Sequence, residues 1–422
     1  MPGVNSPIAP AAPVAVPARL IGLVFVPFAA GFFLSFMFRN ANAVISKDLA
    51  TQFSLSASEL GLLTSAYFLA FAAMQIPVGV LLDRYGPRRV TATLLLVIAA
   101  GAGAFGAADG LGSLAFGRAL IGIGASAALM GAMKAYSMWF PLERMATLNG
   151  WTIAVGALGA VAATAPVEFV ASLIGWRAMF GSLALVTVMV AASMLLFVPE
   201  KTVPGASERW SEQAGRIASI FRVPAFWCIG MPMIVMQGTY QALFGLWLVP
   251  WLMDTQGLSR NAAAQWLMWA ALTYAMASIF FGQGADRLAG RGVQRLTLLK
   301  WGSALAVAGF FALAFAPGVP KLALLLVYAF GAVGTMLCYA ILSRHFPIAV
   351  TGRLNTALNV STFLWAFVVQ IGTGMLLKLF PAEGGRYPAE GYALAFAILG
   401  VVQLAAWVLV ATVKKEPGAS VL

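Results

Sequence analysis

The sequence predicts an all-α membrane protein of twelve transmembrane helices arranged as two six-helix halves. Its composition, the length of its apolar runs and an internal repeat predict this fold. Of 422 residues, 61% are hydrophobic and 9% charged, with 26 Lys/Arg against 14 Asp/Glu and a net charge of +12. A soluble domain carries about a quarter of its residues as charges, so this chain cannot cover a water-facing surface. A basic balance in a polar chain would suggest a nucleic-acid partner. Here the bases are dilute and separated by long apolar runs, which leaves no contiguous basic patch and points to the lipid bilayer instead.

A helix needs about 20 apolar residues to cross the hydrocarbon core. Twelve runs meet that length: 20–45, 58–82, 90–108, 113–138, 145–173, 178–198, 226–252, 262–283, 296–316, 322–343, 356–379 and 391–413. Strand-length alternation between tight turns is missing, which argues against an outer-membrane barrel. Residues 1–18, rich in Pro and Ala and without Lys or Arg, read as a disordered tail and not as a secretory signal. Residues 19–198 form the first six-helix bundle and 225–413 the second. The polar stretch 199–224 between them reads as a linker, or as a linker with an interfacial helix around Arg209 to Arg222. Residues 414–422 form a short C-terminal tail.

Lys and Arg accumulate in cytoplasmic loops, so counting them orients the chain. With the N-terminus inside, 17 bases lie in cytoplasmic segments, 6 in outer loops and 3 within spans. Both termini are then cytoplasmic, in a multi-pass protein of the cell membrane, with a bacterial inner membrane as the expected location. An internal repeat agrees with the division six and six. At a constant offset of 203, Leu55-Ser56 falls on Leu258-Ser259, Gly79 on Gly282, and Asp83-Arg84 on Asp286-Arg287. Near an offset of 206, Phe140-Pro141 after the fourth run matches Phe346-Pro347 after the tenth. Parallel halves of this kind hold a substrate between them near the midplane in secondary transporters.

The loop after the second run reads Gly79-Val-Leu-Leu-Asp83-Arg84-Tyr-Gly86-Pro-Arg88-Arg89, with a degraded copy at Gly282, Asp286, Arg287 and Arg291. This pattern resembles the signature of the major facilitator superfamily between spans two and three. Arg118-x-x-x-Gly122-x-Gly124 resembles that family's motif in the fourth span, and Gly175-Trp176-Arg177 resembles a feature before its sixth. The resemblance extends over essentially the whole chain. It implies alternating access, with Gly79, Asp83, Arg84, Gly86, Arg88, Arg89, Asp286 and Arg287 as gating residues. The family's antiporter motif is matched poorly by Gly156, Gly159 and Ala165-Pro166, so export is not implied.

Charges within the runs bear on function, because an ionised side chain at mid-membrane costs roughly 2.5–3.5 kcal/mol even on the insertion scale. Phe38-Arg39-Asn40-Ala-Asn42 in the first run resembles the Asp-Arg-x-Asn stretch of the organic-anion symporter branch, with Phe38 in place of the aspartate. The resemblance implies that Arg39 binds the acidic group of a substrate; the alternative is an arginine that snorkels outwards or pairs structurally. Arginine suits a carboxylate because its planar fork donates two parallel hydrogen bonds. Arg118 and Lys134 lie sixteen residues apart in the fourth run and point roughly 160° apart in a straight helix, so one of them at most faces a given cavity. Either is a candidate second cation; snorkelling for Lys134 and gating or packing for Arg118 remain open. Gly117, Gly124 and Gly131 make a small-residue stripe between them. Apart from Glu59 at the very start of the second run, Glu168 is the sole acid within a run, a candidate for ion coupling or a solvated or salt-bridged residue near the surface.

The second half contributes polar neutral residues at matching depth: Gln237, Tyr240, Gln241, Tyr274, Tyr339, Trp365 and Gln370. With Arg39, Asn42, Arg118 and Lys134 they make up the candidate substrate site, or they serve interhelical packing. Gly101-Ala-Gly103-Ala-Phe-Gly106 fits a dinucleotide fingerprint but ends a span, so it reads as helix packing. One histidine and two cysteines in separate spans exclude a His/Cys zinc site and argue against a disulfide. Nothing matches a phosphate loop or a nucleophile elbow, so neither enzymatic chemistry, a metal nor a cofactor is expected. The expected function is secondary transport of a small organic anion, coupled to a proton or another ion, by a monomer. The rivals are a drug or siderophore exporter of the same fold and a non-transporting membrane enzyme or sensor.

Overall fold

A computed structural model describes residues 18–141, 144–201, 215, 217–289, 291–316, 318–346, 350–382 and 385–415, apart from the side chains at 18, 146, 283, 286 and 289. The expected N-terminal tail, most of the linker with its interfacial helix, the C-terminal tail beyond 415 and the side chain of Asp286 lie outside these residues.

Twelve helical spans follow one another. The first is Val26–Asn40 continued by Asn42–Gln52, after a π-helical turn at Ile21–Phe25. The second is Ala57–Tyr85, the third Pro87–Gly106, and the fourth Leu111–Ala125 with Ala128–Trp139. The fifth, Met145–Ala162, runs on into Ala165–Phe197, where Gly175 at φ 79° marks the turn into the sixth. The seventh is Pro224–Ala242, a π-helical turn at Leu243–Trp247, and Leu248–Thr255. The rest are Arg260–Ala289, Arg295–Phe315, Lys321–Gly334 with Leu337–His345, Thr351–Lys378, and Ala389–Ala411. Ten helices are long and apolar enough to cross a membrane, with the fourth and tenth spans counted across their turns. The fifth and seventh reach that length across a break. Large side chains such as Phe116, Leu196, Met276 and Trp301 are exposed, as helices surrounded by lipid require.

Local chemistry accounts for the ends. Ser56 caps the second span: its hydroxyl accepts from the Glu59 amide at 3.4 Å, and the Glu59 carboxylate accepts from the Ser56 amide at 2.9 Å. Its repeat partner Ser259 accepts from the Ala262 amide at 3.2 Å at the start of the eighth. Gly86, at φ 79°, joins the second span to the third in a backbone geometry that a side chain would strain. After Gly175, Trp176 donates its indole N–H to Gln52, and Arg177 donates to the carbonyls of Gly106 and Ala108 at 2.9 and 2.8 Å, satisfying the end of the third span.

Spans alternate in direction, so residues 52–57, 255–260 and 378–389 share one end, called here the Asp254 end, while Tyr85–Pro87 and both described chain ends lie at the other, the Arg88 end. The small-residue stripe of the fourth span packs on the third: a side chain at Gly117 would meet the carbonyl of Gly101 at 2.9 Å, and one at Gly124 or Gly131 would run into Leu94 or Thr91. The seam between the halves is formed chiefly by the second span on the eleventh, and also by the fifth on the eighth and the first on the seventh. Along the seam Gly61 abuts the carbonyl of Gln370, and Gly374 that of Ala57, at 2.7 and 2.5 Å from where a Cβ would sit.

Candidate substrate site and gates

Arg39 sits near the end of the first helical segment of its span, 6% exposed, at the seam of the halves. Its Nε donates to the Tyr67 hydroxyl of the second span and its Nη1 to Oε1 of Gln241 in the seventh, both at 3.2 Å. Four rings surround the guanidinium, with centroids 4.5 Å (Phe36), 6.0 Å (Tyr67), 5.2 Å (Phe71) and 5.0 Å (Phe363) from Cζ. Such contacts hold a cation by the negative faces of the rings. Phe363 belongs to the eleventh span and stacks on Phe71 at 4.3 Å, so two residues of the second half, Gln241 and Phe363, touch this cation of the first.

Arg118 enters the same cluster from the fourth span. It is fully buried, with its Cζ 4.9 Å from the Tyr67 centroid. Nη1 donates to the Phe38 carbonyl at 2.8 Å, while Nε and Nη2 are buried without a partner. Tyr67 therefore lies against both arginines. No carboxylate is paired with either among the described residues.

The second-half residues fall into a connected layer. Tyr274 donates to Oε1 of Gln237 at 2.9 Å, and the amide of Gln237 donates to the Ala332 carbonyl at 2.8 Å. Tyr240 stacks on Phe244 at 4.0 Å and on Tyr274 at 4.8 Å. Further along, Tyr339 donates to Asn359 at 2.8 Å and Trp365 to Thr239 at 3.1 Å. Two expected ligands lie within helix packing. Asn42 is fully buried and donates to Thr64 at 2.7 Å, and Gln370 is fully buried with neither side-chain polar atom bonded.

The structure separates Lys134 and Glu168 from the arginines. Lys134 pairs with Asp83 near the Arg88 end, so the two cations of the fourth span serve different places, as their opposed directions imply. Glu168 lies 3.7 Å from Arg260, which also bonds Asp48 at 2.7 Å, at the Asp254 end. Gly79 is half-buried and Arg287 exposed, while Arg84 stacks on Tyr85. Arg88 donates to the Leu195 carbonyl, and Arg88 and Arg89 both pair with Glu200. These bonds tie the second, third, fourth and sixth spans together within one half.

At the Asp254 end the ion pairs cross the halves. Lys47 pairs with Asp254 at 2.6 Å, and Arg260 of the eighth span reaches Asp48 and Glu168 of the first half. The Asp254 side chain is 1% exposed and also accepts from the Tyr392 hydroxyl at 2.8 Å and the Tyr387 amide at 3.2 Å. The Tyr387 hydroxyl accepts from the Ala57 amide across the seam at 2.8 Å. Burial pushes the Tyr387 phenol above its ordinary range, and the charge of Asp254 adds to the shift, so it stays neutral near pH 7.

The ring cage and the Asp254 clasp escaped sequence reasoning. Tyr67 and Phe363 carry no formal charge to mark them in an apolar run, and Lys47 and Arg260 count only as outer-loop bases. The signal for Tyr67 was its phenol in the middle of a span, which needs a partner.

The fold is shared with solved transporters. The structure aligns with that of a D-xylose-proton symporter at a TM-score of 0.77 and 18% identity, over 95% of this chain and 100% of the other. In sequence, 121 residues are 30% identical to the probable sulfoacetate transporter SauU of Cupriavidus necator, covering 29% of this chain and 28% of the relative. Another 28% identity runs over 132 residues of the galacturonate transporter of Dickeya chrysanthemi, 31% of this chain and 37% of that one. The matched stretch thus spans about a third of each relative's length or less. Residues 28–370 match the model of the Major Facilitator Superfamily, and the chain belongs to that superfamily as a multi-pass membrane protein.

Proposed function

We propose that this transporter carries a small organic anion, a carboxylate, by alternating access between its halves, with Arg39 as the principal ligand and Arg118 as the second cation. The observation that carries the reading is the environment of Arg39: a guanidinium at the seam, surrounded by four rings, a phenol and an amide, with no carboxylate paired to it among the described residues. A cation placed there lacks a counter-charge, and a carboxylate supplies one through two parallel hydrogen bonds. The rings form an apolar wall beside it, and Gln237, Tyr240, Gln241 and Tyr274 offer groups for hydroxyls on the cargo. Tyr339 and Trp365 line the next layer, while Asn42 and Gln370 hold the helices around it. Relatives named for sulfoacetate and galacturonate favour an acid as cargo.

Lys134 belongs with Asp83, Arg84, Arg88, Arg89 and Gly86 in a gate at the Arg88 end. That end is the cytoplasmic face in this reading, since 17 of the bases lie on its side against 6 on the other, and the location is a bacterial inner membrane. Calorimetric titration of the purified protein with galacturonate, sulfoacetate and the neutral sugar xylose tests the cargo class. The two acids should bind and xylose should not, with Arg39→Gln losing both; xylose binding as tightly as the acids would overturn the reading.

A further inference from the structure

We infer that this protein is an obligatory anion exchanger: its site crosses the membrane only with an organic anion on the two arginines, so one anion enters as another leaves. The inference rests on the reading of Arg39 and Arg118 as the substrate site, and it turns on charge balance.

Of the 14 acids in the sequence, two lie within apolar runs: Glu59, which caps the start of the second span with Ser56, and Glu168. Glu168 is engaged with Arg260 at the Asp254 end, away from Tyr67 and the two cations. At the position where the organic-anion symporter pattern has an aspartate beside the arginine, Phe38 stands, fully buried against Phe180. Among the described residues, the titratable side chain that lies against both arginines is the phenol of Tyr67. Proton exchange near neutral pH is carried by imidazoles and perturbed carboxylates, and a phenol is neither. Among the described residues, no carboxylate or imidazole stands beside the site to release a proton when an anion arrives, or to take one up to neutralise the site when the anion leaves.

Reorientation of an empty carrier must pass through a state closed at both ends. Arg118 is fully buried and keeps two unbonded donors, and Arg39 is only 6% exposed beside it. Two uncompensated cations in a low-dielectric interior make that state unfavourable. With a carboxylate bound, the same state contains its own counter-charge and the donors are satisfied. The loaded carrier therefore crosses and the empty one does not, which is exchange. A carrier built this way does not depend on a proton gradient.

The test uses the full-length protein in proteoliposomes preloaded with radiolabelled galacturonate or sulfoacetate, with the membrane potential clamped at zero. Efflux of label is followed into buffer with and without the same unlabelled anion outside, at pH 6 and pH 8. External anion should accelerate efflux by about a hundredfold, the rate equivalent of one uncompensated charge at mid-membrane, and both rates should change little with pH. Equal efflux with and without external anion overturns exchange while leaving the substrate reading intact, and so does efflux driven by an imposed proton gradient. No protein-dependent flux of either probe overturns the substrate reading itself. In Arg118→Gln, shown to be folded by gel filtration and thermal unfolding, the ratio of exchange to net efflux should narrow by about tenfold or more, because the empty carrier moves one cation fewer. An unchanged ratio in the folded variant overturns the role given to the charge.

Discussion

Arg39 depends on groups from both halves, so substitutions around it report on the seam as well as on the cargo. Arg39→Gln removes a hydrogen-bonded cation from a desolvated site, a change that weakens binding by roughly thirtyfold or more. Titration calorimetry reads that loss, and a thermal unfolding temperature within a few degrees of the parent separates it from misfolding. Tyr67→Phe keeps the ring under Arg39 and Arg118 but deletes the hydroxyl that accepts from Arg39 at 3.2 Å. Loss of one such bond to a charged group costs about 1.5–3 kcal/mol, so affinity for galacturonate should fall by about tenfold or more in the same assay. At this scale the sequence was informative only where a formal charge interrupted an apolar run. Arg39, Arg118, Lys134 and Glu168 stood out for that reason. Spacing in one helix showed that Arg118 and Lys134 diverge, but the partner that takes Lys134, Asp83, lies on another span and had been read only as part of a loop motif. Phe363 is one of 29 phenylalanines and becomes distinctive only because the eleventh span brings it over a cation on the first.

Among the helices, the second and eleventh approach so closely that glycine is needed on each side. A Cβ at Gly374 would lie 2.5 Å from the Ala57 carbonyl, against backbone that cannot swing aside. Gly374→Val should therefore destabilise the packing of these two spans at the Asp254 end by about 1–3 kcal/mol through overpacking. Thermal unfolding in detergent checks this, alongside increased thiol labelling of a cysteine placed at Ser65 in the same seam. Gly175→Ala faces open space but must adopt φ 79°, at a cost of about 1–2 kcal/mol, and should not change labelling. Asp83→Asn breaks the pair with Lys134 in the gate and should slow exchange more than it weakens binding, as measured by counterflow and calorimetry together. The existence and order of the spans were legible because crossing a bilayer demands a minimum apolar length. Their interruptions were not. The fourth and tenth spans break at corresponding places, after Ala125 and after Gly334, and the seventh carries a π-helical turn about one repeat offset from the joint of the first at Ala41. None of these breaks is marked by proline, so the apolar pattern runs through them without a signal.

For the molecule as a whole, the two-half architecture was already visible in the sequence repeat, and the caps at Ser56 and Ser259 now give that repeat a physical cause. The state in which the halves sit was not legible, because it depends on pairings between distant loops. Those pairings gather at Asp254, which joins Lys47, Tyr387 and Tyr392 and is almost fully buried. Asp254→Asn should release this end: spin labels at Ser54 and Gln256 are expected to move apart in double electron–electron resonance, with little loss of overall stability. The members of this clasp differ in their contact with water, since Asp48 is 37% exposed and Lys47 and Arg260 are each 23% exposed. Dissolved ions therefore reach it. The screening length falls from about 10 Å at 0.1 M salt to about 3 Å at 1 M, so the same label distance should widen as salt is added, even with no cargo present. The direction in which the empty carrier rests then follows the salinity of the medium at that face, and brine does to the wild-type protein in part what the Asp254 substitution does outright.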